Sequence, residues 1–126
     1  MIANIMIGAN DLAGAKAFYD AALGCLGVPA GELDYKGRPA YRHEGASMVI
    51  TRPINGGAAS GANGGTIAFW AHSPEEADAW HEAGLAHGGT SCENPPGWRE
   101  LAGRKVYLAY LRDPSGNKIC AMYRPD

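Results

Sequence analysis

The side chains best suited to chemistry in this 126-residue chain are its four histidines and three cysteines. Imidazoles hold a catalytic metal only where several ligands converge on it. We expect His43 on a strand, His72 in a loop ahead of a helix, and His81 and His87 on or just after that helix. These positions lie on different surfaces, so the sequence predicts solvated or packed histidines and no histidine metal site.

The cysteines favour a reducing environment. Cys25, Cys92 and Cys120 are odd in number and include no Cys-x-x-Cys pair, which is typical of free thiols in the cytoplasm. As a nucleophile, Cys120 would need a pKa lowered by a nearby cation such as Lys118. Because free cysteines are often buried, we expect a small apolar core residue at this position instead.

Length and composition predict one compact domain spanning residues 1–126. Hydrophobic residues make up 46% of the chain, which suffices for a core without disulfide or metal support. The net charge of −2 argues against nucleic-acid binding, which needs clustered Lys and Arg. No apolar run reaches the roughly 20 residues of a membrane span, and the first residues lack the basic region of a secretory signal. We therefore expect a cytoplasmic protein.

A first unit, about residues 1–52, is predicted to contain a strand, a helix and three further strands. Apolar residues recur at helical spacing from Leu12 to Leu26, behind Asn10 or Asp11 as the helix N-cap. The strands of this unit are predicted near residues 2–7, 33–35, 40–44 and 47–51.

A linker rich in Gly, Pro, Asn and Ser, about residues 53–64, separates this unit from a second one, about residues 65–126. The second unit repeats the same order of elements. Ser73, Pro74 and Glu76 have the spacing of a capping box at a helix start. The other predicted elements are strands at 66–71 and 90–92, an irregular loop at 93–99, and a final hairpin at 107–123.

The turn of that hairpin, Asp113-Pro114-Ser115-Gly116, has residues that a type I turn prefers at its first, second and fourth positions. Hairpins make neighbouring strands antiparallel, and each unit mixes strands with one helix. The chain is therefore predicted to be α+β, with two β-α-β-β-β modules.

Four segments of the chain are similar to one known family. They are GANDLAGAKAFYD at 8–20, GTIAF at 65–69, DAWHEAGLAHGG at 78–89 and RDPSGNKICA at 112–121. In this order they resemble the vicinal-oxygen-chelate superfamily of glyoxalase, bleomycin-resistance and extradiol-dioxygenase proteins. The resemblance implies that the two modules form a half-open, cup-shaped mixed β-sheet with the helices on the outside.

Enzymes of that superfamily bind a divalent metal in the cup through histidines and a carboxylate. The resemblance maps these ligands onto Asn4, Thr66 and Cys120, with Thr51 or Ile50 as the fourth. Amides and hydroxyls are weak neutral donors for Zn or Fe, and one thiolate with no imidazole beside it does not make a recognisable site. We therefore expect no metal cofactor.

Without a metal, the cup implied by the resemblance is a small-molecule pocket, largely apolar and aromatic with a few hydrogen-bonding groups. Strand alternation directs Asn4 and Met6 away from the first helix and into this cup. Tyr41 is expected at the rim, and His43 is the only histidine that could face the cup. The predicted ligand-binding residues are Asn4, Met6, Thr66, Trp70, Trp98, Arg99, Tyr107, Cys120 and Met122.

Three functions remain open at this stage. The first is a metal-free protein that binds a small aromatic or amphipathic compound, similar to the bleomycin-resistance branch, which sequesters its ligand. The second is a metal-dependent lyase, isomerase or dioxygenase of the same superfamily, with relocated ligands drawn from His43, Glu44, His72 and His81. The third is a structural or regulatory dimerisation module whose cup is filled by its own side chains. The resemblance also allows a homodimer, and the sequence identifies no ligand.

Overall fold

The computed structural model describes residues 1–125 as two β-sheets and two helices. The first module contains β1 (Asn4–Gly8), α1 (Leu12–Gly24), β2 (Glu32–Leu33), β3 (Pro39–His43) and β4 (Ala46–Thr51). The second contains β5 (Ile67–Trp70), α2 (Pro74–Ala86), β6 (Thr90–Ser91), β7 (Gly97–Leu101), β8 (Arg104–Arg112) and β9 (Lys118–Tyr123). The α+β class is confirmed. In the described part of the chain, neither helix is long and apolar enough to cross a membrane.

The first sheet has the strand order β1-β4-β3-β2, with β1 parallel to β4 and the other pairs antiparallel. Between β1 and β2, α1 begins behind Asp11, whose carboxylate accepts a hydrogen bond from the Gly14 N–H at 3.0 Å. This is one of the two N-caps that the sequence predicted. The buried residues of α1 follow the predicted helical spacing and are Ala15, Phe18, Tyr19, Ala22 and Leu23.

The second sheet has one strand more than the sequence predicted. The irregular loop expected at 93–99 contains the start of β7, which pairs with the first half of β8, while β6 pairs with the end of β8. The two short strands therefore share one neighbour and form a single interrupted edge. Pro95 and Pro96 lie in the interruption, where the absence of a proline N–H prevents a continuous strand ladder.

The start of α2 follows the predicted capping box with one difference. Ser73 Oγ accepts a hydrogen bond from the Glu76 N–H at 3.1 Å, and Pro74 begins the helix. The Glu76 carboxylate, however, accepts from the backbone N–H of His72 and not from that of Ser73. The cap therefore holds His72 beside an acidic side chain at the junction of β5 and α2.

The core lies between the helices and the sheet faces that they cover. Ile5 and Ile7 of β1 pack into it, as do Ile67 and Phe69 of β5. The remaining side chains of these strands point to the other side of each sheet, which we call the open face. The alternation predicted for β1 and β5 is therefore confirmed.

A buried polar junction joins the two modules at the turn between β8 and β9. Asp113, only 4% exposed, accepts hydrogen bonds from Tyr19 Oη at 2.6 Å, from the backbone N–H groups of Ser115 and Asn117, and from Asn117 Nδ2. Asn117 Nδ2 also donates to the Gly8 carbonyl at 2.9 Å. The type I turn predicted from sequence is present, with Gly116 N–H bonded to the Asp113 carbonyl, and its first residue also links α1 to the second sheet.

We predict that Tyr19→Phe destabilises the protein by about 2 kcal/mol, because it leaves a buried carboxylate without one of its donors. Burial, together with Asp113, raises the pKa of Tyr19 well above its ordinary value, so the phenol remains a neutral donor. Tyr107→Phe is the matched control, since Tyr107 Oη donates to Asp78 at the same 2.6 Å but at the surface. It should change the unfolding free energy by about 0.5 kcal/mol or less.

Urea unfolding followed by circular dichroism measures both variants. Equal losses of stability in Tyr19→Phe and Tyr107→Phe would show that burial of the junction contributes nothing particular, and would contradict its assigned role.

Candidate functional site

The open face of the first sheet carries two of the predicted site residues. The strand register places Asn4 beside Ser47, whose hydroxyl donates to Asn4 Oδ1 at 2.7 Å. Met6 lies on the same face and is 50% exposed. Both residues therefore point away from α1, as predicted, and Asn4 already has a hydrogen-bond partner within its own sheet.

The open face of the second sheet carries three more of the predicted site residues. Cys120 and Met122 on β9 contact the buried Val106 and Leu108 of β8 in a small apolar cluster separate from the main core. Trp70 stands next to Met122 in the strand register and is 54% exposed.

Two polar residues, Tyr110 and Lys118, also lie on the open face of the second sheet. Tyr110 is paired with Cys120, and Lys118 Nζ lies 5.1 Å from the centre of the Tyr110 ring while forming an ion pair with Glu93. Tyr110 is not among the residues predicted from the sequence. The loop that closes the hairpin spans residues 113–117, one residue more than the predicted turn, so Arg112 pairs with Lys118 and Tyr110 pairs with Cys120.

Tyr107 and Trp98 are corrections to the predicted lining of the cup. Tyr107 lies on the helix-covered face, where its hydroxyl donates to Asp78 of α2. Trp98 is its partner across β7 and β8, and the two rings meet edge to face with centroids 5.4 Å apart. Strand alternation then places Arg99 on the open side, where its guanidinium donates to the Pro95 carbonyl at 2.7 Å.

Two further predicted positions also differ from expectation. Thr66 immediately precedes β5 and is exposed, outside the regular alternation of the strand. Tyr41 is buried in the core, where its hydroxyl donates to Asp20 at 2.8 Å. Burial, followed by this hydrogen bond, raises the Tyr41 pKa well above its ordinary value, so the phenol stays protonated.

The residues present do not fit the divalent metal that the superfamily implies. In residues 1–125, no three side chains among His, Cys, Asp and Glu are placed to hold an ion together. Cys120 is 2% exposed, and burial raises the pKa of its thiol to about 11. Within residues 1–125 this thiol belongs to no group of three such ligands, and a single thiol does not make a zinc or iron site.

A cavity lies between the two modules and not on either open face alone. It has a volume of about 280 Å³ and is bounded by the helix-covered face of the first sheet, the end of α1, and β5. Most of its lining is apolar, its aromatic side chains are those of Tyr41, Phe69 and Trp70, and its ionisable side chains are those of His43, Glu44 and His72. We call this space the inter-module cavity.

Ionisable groups gather at the inter-module cavity, contrary to the prediction that the histidines occupy separate surfaces. His43 Nε2 lies 3.6 Å from Glu44 Oε1. His72 Nδ1 lies 3.0 Å from Glu76 Oε1, and this bond, with a smaller contribution from Glu44, raises the His72 pKa. His81, by contrast, contacts Ser91 on α2's other side.

Strand register explains the position of His43, and contact between the two modules explains why His72 lies close to it. His43 shares the helix-covered face with Tyr41, two residues earlier on β3. It therefore turns away from the open face, which the sequence had allowed as one possibility for this histidine alone. The turn after β3 and the junction of β5 with α2 meet at the same cavity, a contact between modules that element order does not reveal.

Comparison with known proteins agrees with this architecture. The family model of the Glyoxalase/Bleomycin resistance protein/Dioxygenase superfamily matches residues 1–121. The chain therefore belongs to this superfamily, as its motifs indicated. Comparison with curated proteins gives no match.

Among solved structures, a glyoxalase/bleomycin resistance protein from Albidiferax ferrireducens T118 is 53% identical, with a TM-score of 0.94, and the match covers 98% of this chain and 99% of that one. A lactoylglutathione lyase from Agrobacterium tumefaciens is 22% identical with a TM-score of 0.66, covering 98% and 92%. A family enzyme from Burkholderia phytofirmans PsJN is 17% identical with a TM-score of 0.74, covering 97% of each chain. The last two show similarity of fold alone.

We predict that Cys120 reacts with iodoacetamide about a hundredfold more slowly in the folded chain than in urea, because burial and a raised pKa suppress its thiolate. Its rate should rise with pH towards about 11, where the folded thiol titrates. Mass spectrometry of modified peptides separates this site from the partly exposed Cys25 and Cys92. Modification of Cys120 at neutral pH as fast as that of Cys92 would refute the assignment of a buried, protonated thiol.

Proposed function

We propose that this superfamily member binds a small, largely apolar molecule in the inter-module cavity without a metal ion. The observation that carries the proposal is the cavity itself, about 280 Å³ with aromatic and aliphatic walls and a few polar groups at one end. Such a composition is typical of small-molecule sites, in which apolar surface supplies affinity and a few polar groups fix orientation.

The proposal that binding needs no metal ion rests on the side chains that would have to act as metal ligands. The positions that the superfamily uses for ligands hold an amide, a hydroxyl and a buried thiol, at Asn4, Thr66 and Cys120. The relocated-ligand alternative needs three donors around one point. His43, Glu44 and His72 do share the cavity, but within residues 1–125 they do not form a set that could coordinate an ion. The dimerisation-module alternative requires a filled interior, which an open cavity disfavours.

A homodimer is also proposed. β1 and β5 each end a sheet, so each presents one edge without a strand partner among the described residues. A large apolar side chain, that of Met6 on β1, is half exposed beside one of these edges. Unpaired strand edges with exposed apolar residues favour association with another chain.

The reducing interior of a cell suits this protein best. All three cysteines are free thiols, and free thiols persist where glutathione and thioredoxin keep them reduced. We therefore place the protein in the cytoplasm, as the cysteine content of the sequence suggested.

We predict that Trp70→Ala weakens binding of phenethyl alcohol, an uncharged probe of suitable size, by about tenfold, because one aromatic wall of the cavity is lost. Trp98→Ala is the matched control, since Trp98 has a similar exposure of 42% but stacks on Tyr107 outside the cavity. Isothermal titration calorimetry measures both variants, with and without excess EDTA.

Binding that is unchanged by EDTA and by Trp98→Ala, but lost in Trp70→Ala, is the expected result. Loss of binding on addition of EDTA would instead identify a metal-dependent site, and equal effects of the two tryptophan variants would remove the cavity from the proposal.

We further predict that the wild-type protein has a mass in solution of twice the 13.2 kDa chain mass, and that Met6→Glu shifts it to the monomer by placing a charge at the β1 edge. Leu33→Glu, an exposed apolar position on β2 at the opposite edge of the sheet, should leave the mass unchanged. Light scattering coupled to size exclusion measures all three. A monomeric wild-type protein would rule out the dimer.

A further inference from the structure

The polar end of the inter-module cavity is acidic. Glu44 lines it, and Glu76 lies at the same end through its hydrogen bond to His72. Across residues 1–125, no lysine or arginine is among the residues that form its walls. The two histidines that line this end are paired with these carboxylates. The cavity end therefore holds two carboxylates and no lysine or arginine among the described residues that line it.

Other charged groups lie near the cavity. Arg42 lines a neighbouring surface depression together with Glu44, but it is not among the residues that line the cavity, and strand alternation directs it to the opposite face of β3 from His43. Asp20, which accepts from Tyr41 below the cavity, is paired with Lys16 at 2.6 Å. The guanidinium of Arg124 lies over the Trp70 ring, 5.0 Å from its centre. It occupies one face of that indole and belongs to the exposed chain end, whereas Glu44 stands among the residues that line the space.

Glu44 also occupies an unusual backbone position. It is the first central residue of the two-residue turn between β3 and β4, with φ of 49°, and Gly45 follows with φ of 81°. Two positive φ values in a two-residue hairpin are those of a type I′ turn, which strongly favours Asn-Gly. A glutamate there is less favourable than asparagine, so the conformation alone does not explain the residue. Its long side chain instead places a carboxylate at the mouth of a cavity.

We propose that Glu44 determines ligand class, and that the inter-module cavity selects a compact apolar body bearing a protonated amine. The apolar walls take the hydrocarbon part, and the amine lies at the polar end, where it interacts with the Glu44 carboxylate and donates hydrogen bonds to it. The inference rests on the proposed function, since it assigns a chemical class to the ligand of the same cavity. Glu44 acts by direct charge contact, and no covalent step is involved.

Three probes that share a phenyl ring and a two-carbon spacer test this assignment: phenethylamine, phenethyl alcohol and hydrocinnamate, which carry positive, zero and negative charge. Calorimetric titration of the full chain at pH about 9 keeps the alkylamine protonated. The expected order of affinity is amine, then alcohol, then carboxylate, with the amine about fivefold or more tighter than the carboxylate.

Two substitutions separate charge from shape. Glu44→Gln keeps the size of the side chain and removes its charge, and Glu44→Asn also supplies the residue that the turn prefers. Each should reduce the preference for amine over carboxylate by about threefold, and Glu44→Asn should keep or raise the thermal midpoint. Glu32→Gln is the control, because this exposed carboxylate on β2 lies outside the cavity, and the preference should stay at the wild-type value.

The outcomes are distinct. An amine that binds no tighter than the carboxylate, or a preference that survives both Glu44 substitutions, overturns the assignment of ligand class while leaving the proposed function in place. Failure of all three probes to bind overturns the proposed function and this inference together. A fall in thermal midpoint in Glu44→Asn would show that Glu44 is there for the turn, which also contradicts the proposal.

Discussion

A buried carboxylate bridges the two modules and restricts how they can pack. Asp113 accepts four hydrogen bonds, among them that of Tyr19 Oη from α1, and its neighbour Asn117 reaches the Gly8 carbonyl at the end of β1. An unpaired charge in this place would cost several kcal/mol, so a turn of the second sheet and the strand-to-helix junction of the first stabilise one another. Apolar packing of the helices then closes the core around this junction.

The inter-module cavity follows from the same arrangement. The junction holds β1 at Gly8, whereas the cavity opens beside Ile5, nearer the start of that strand. Polar groups, those of Glu44, His43 and His72, collect next to an apolar space. A shaped apolar cavity with a few polar groups is consistent with recognition of an organic ligand.

Errors in the sequence analysis arose where strand register or contact between modules decided the outcome. The strand β7 was hidden by Pro95 and Pro96, which interrupt the edge formed by β6 and β7. Tyr107 was assigned to the wrong face, although pairing across the final turn places Tyr110 on the open side. A shift of one residue reverses the direction of every side chain in a strand, so these assignments require the register and not the pattern alone.

The sequence by itself determined the class of fold, the two modules, the region in which each helix begins, the final turn and the superfamily, because these depend on local spacing and on contiguous motifs. That Asn4, Thr66 and Cys120 stand where the superfamily has its metal ligands stays a prediction from the resemblance. Only the tertiary structure decided that Asp113 meets Tyr19, 94 positions away, and that Glu44 and His72 share one cavity. Contacts of this kind arise when two modules pack, and packing is set by the whole apolar surface of both and by no single segment of the chain.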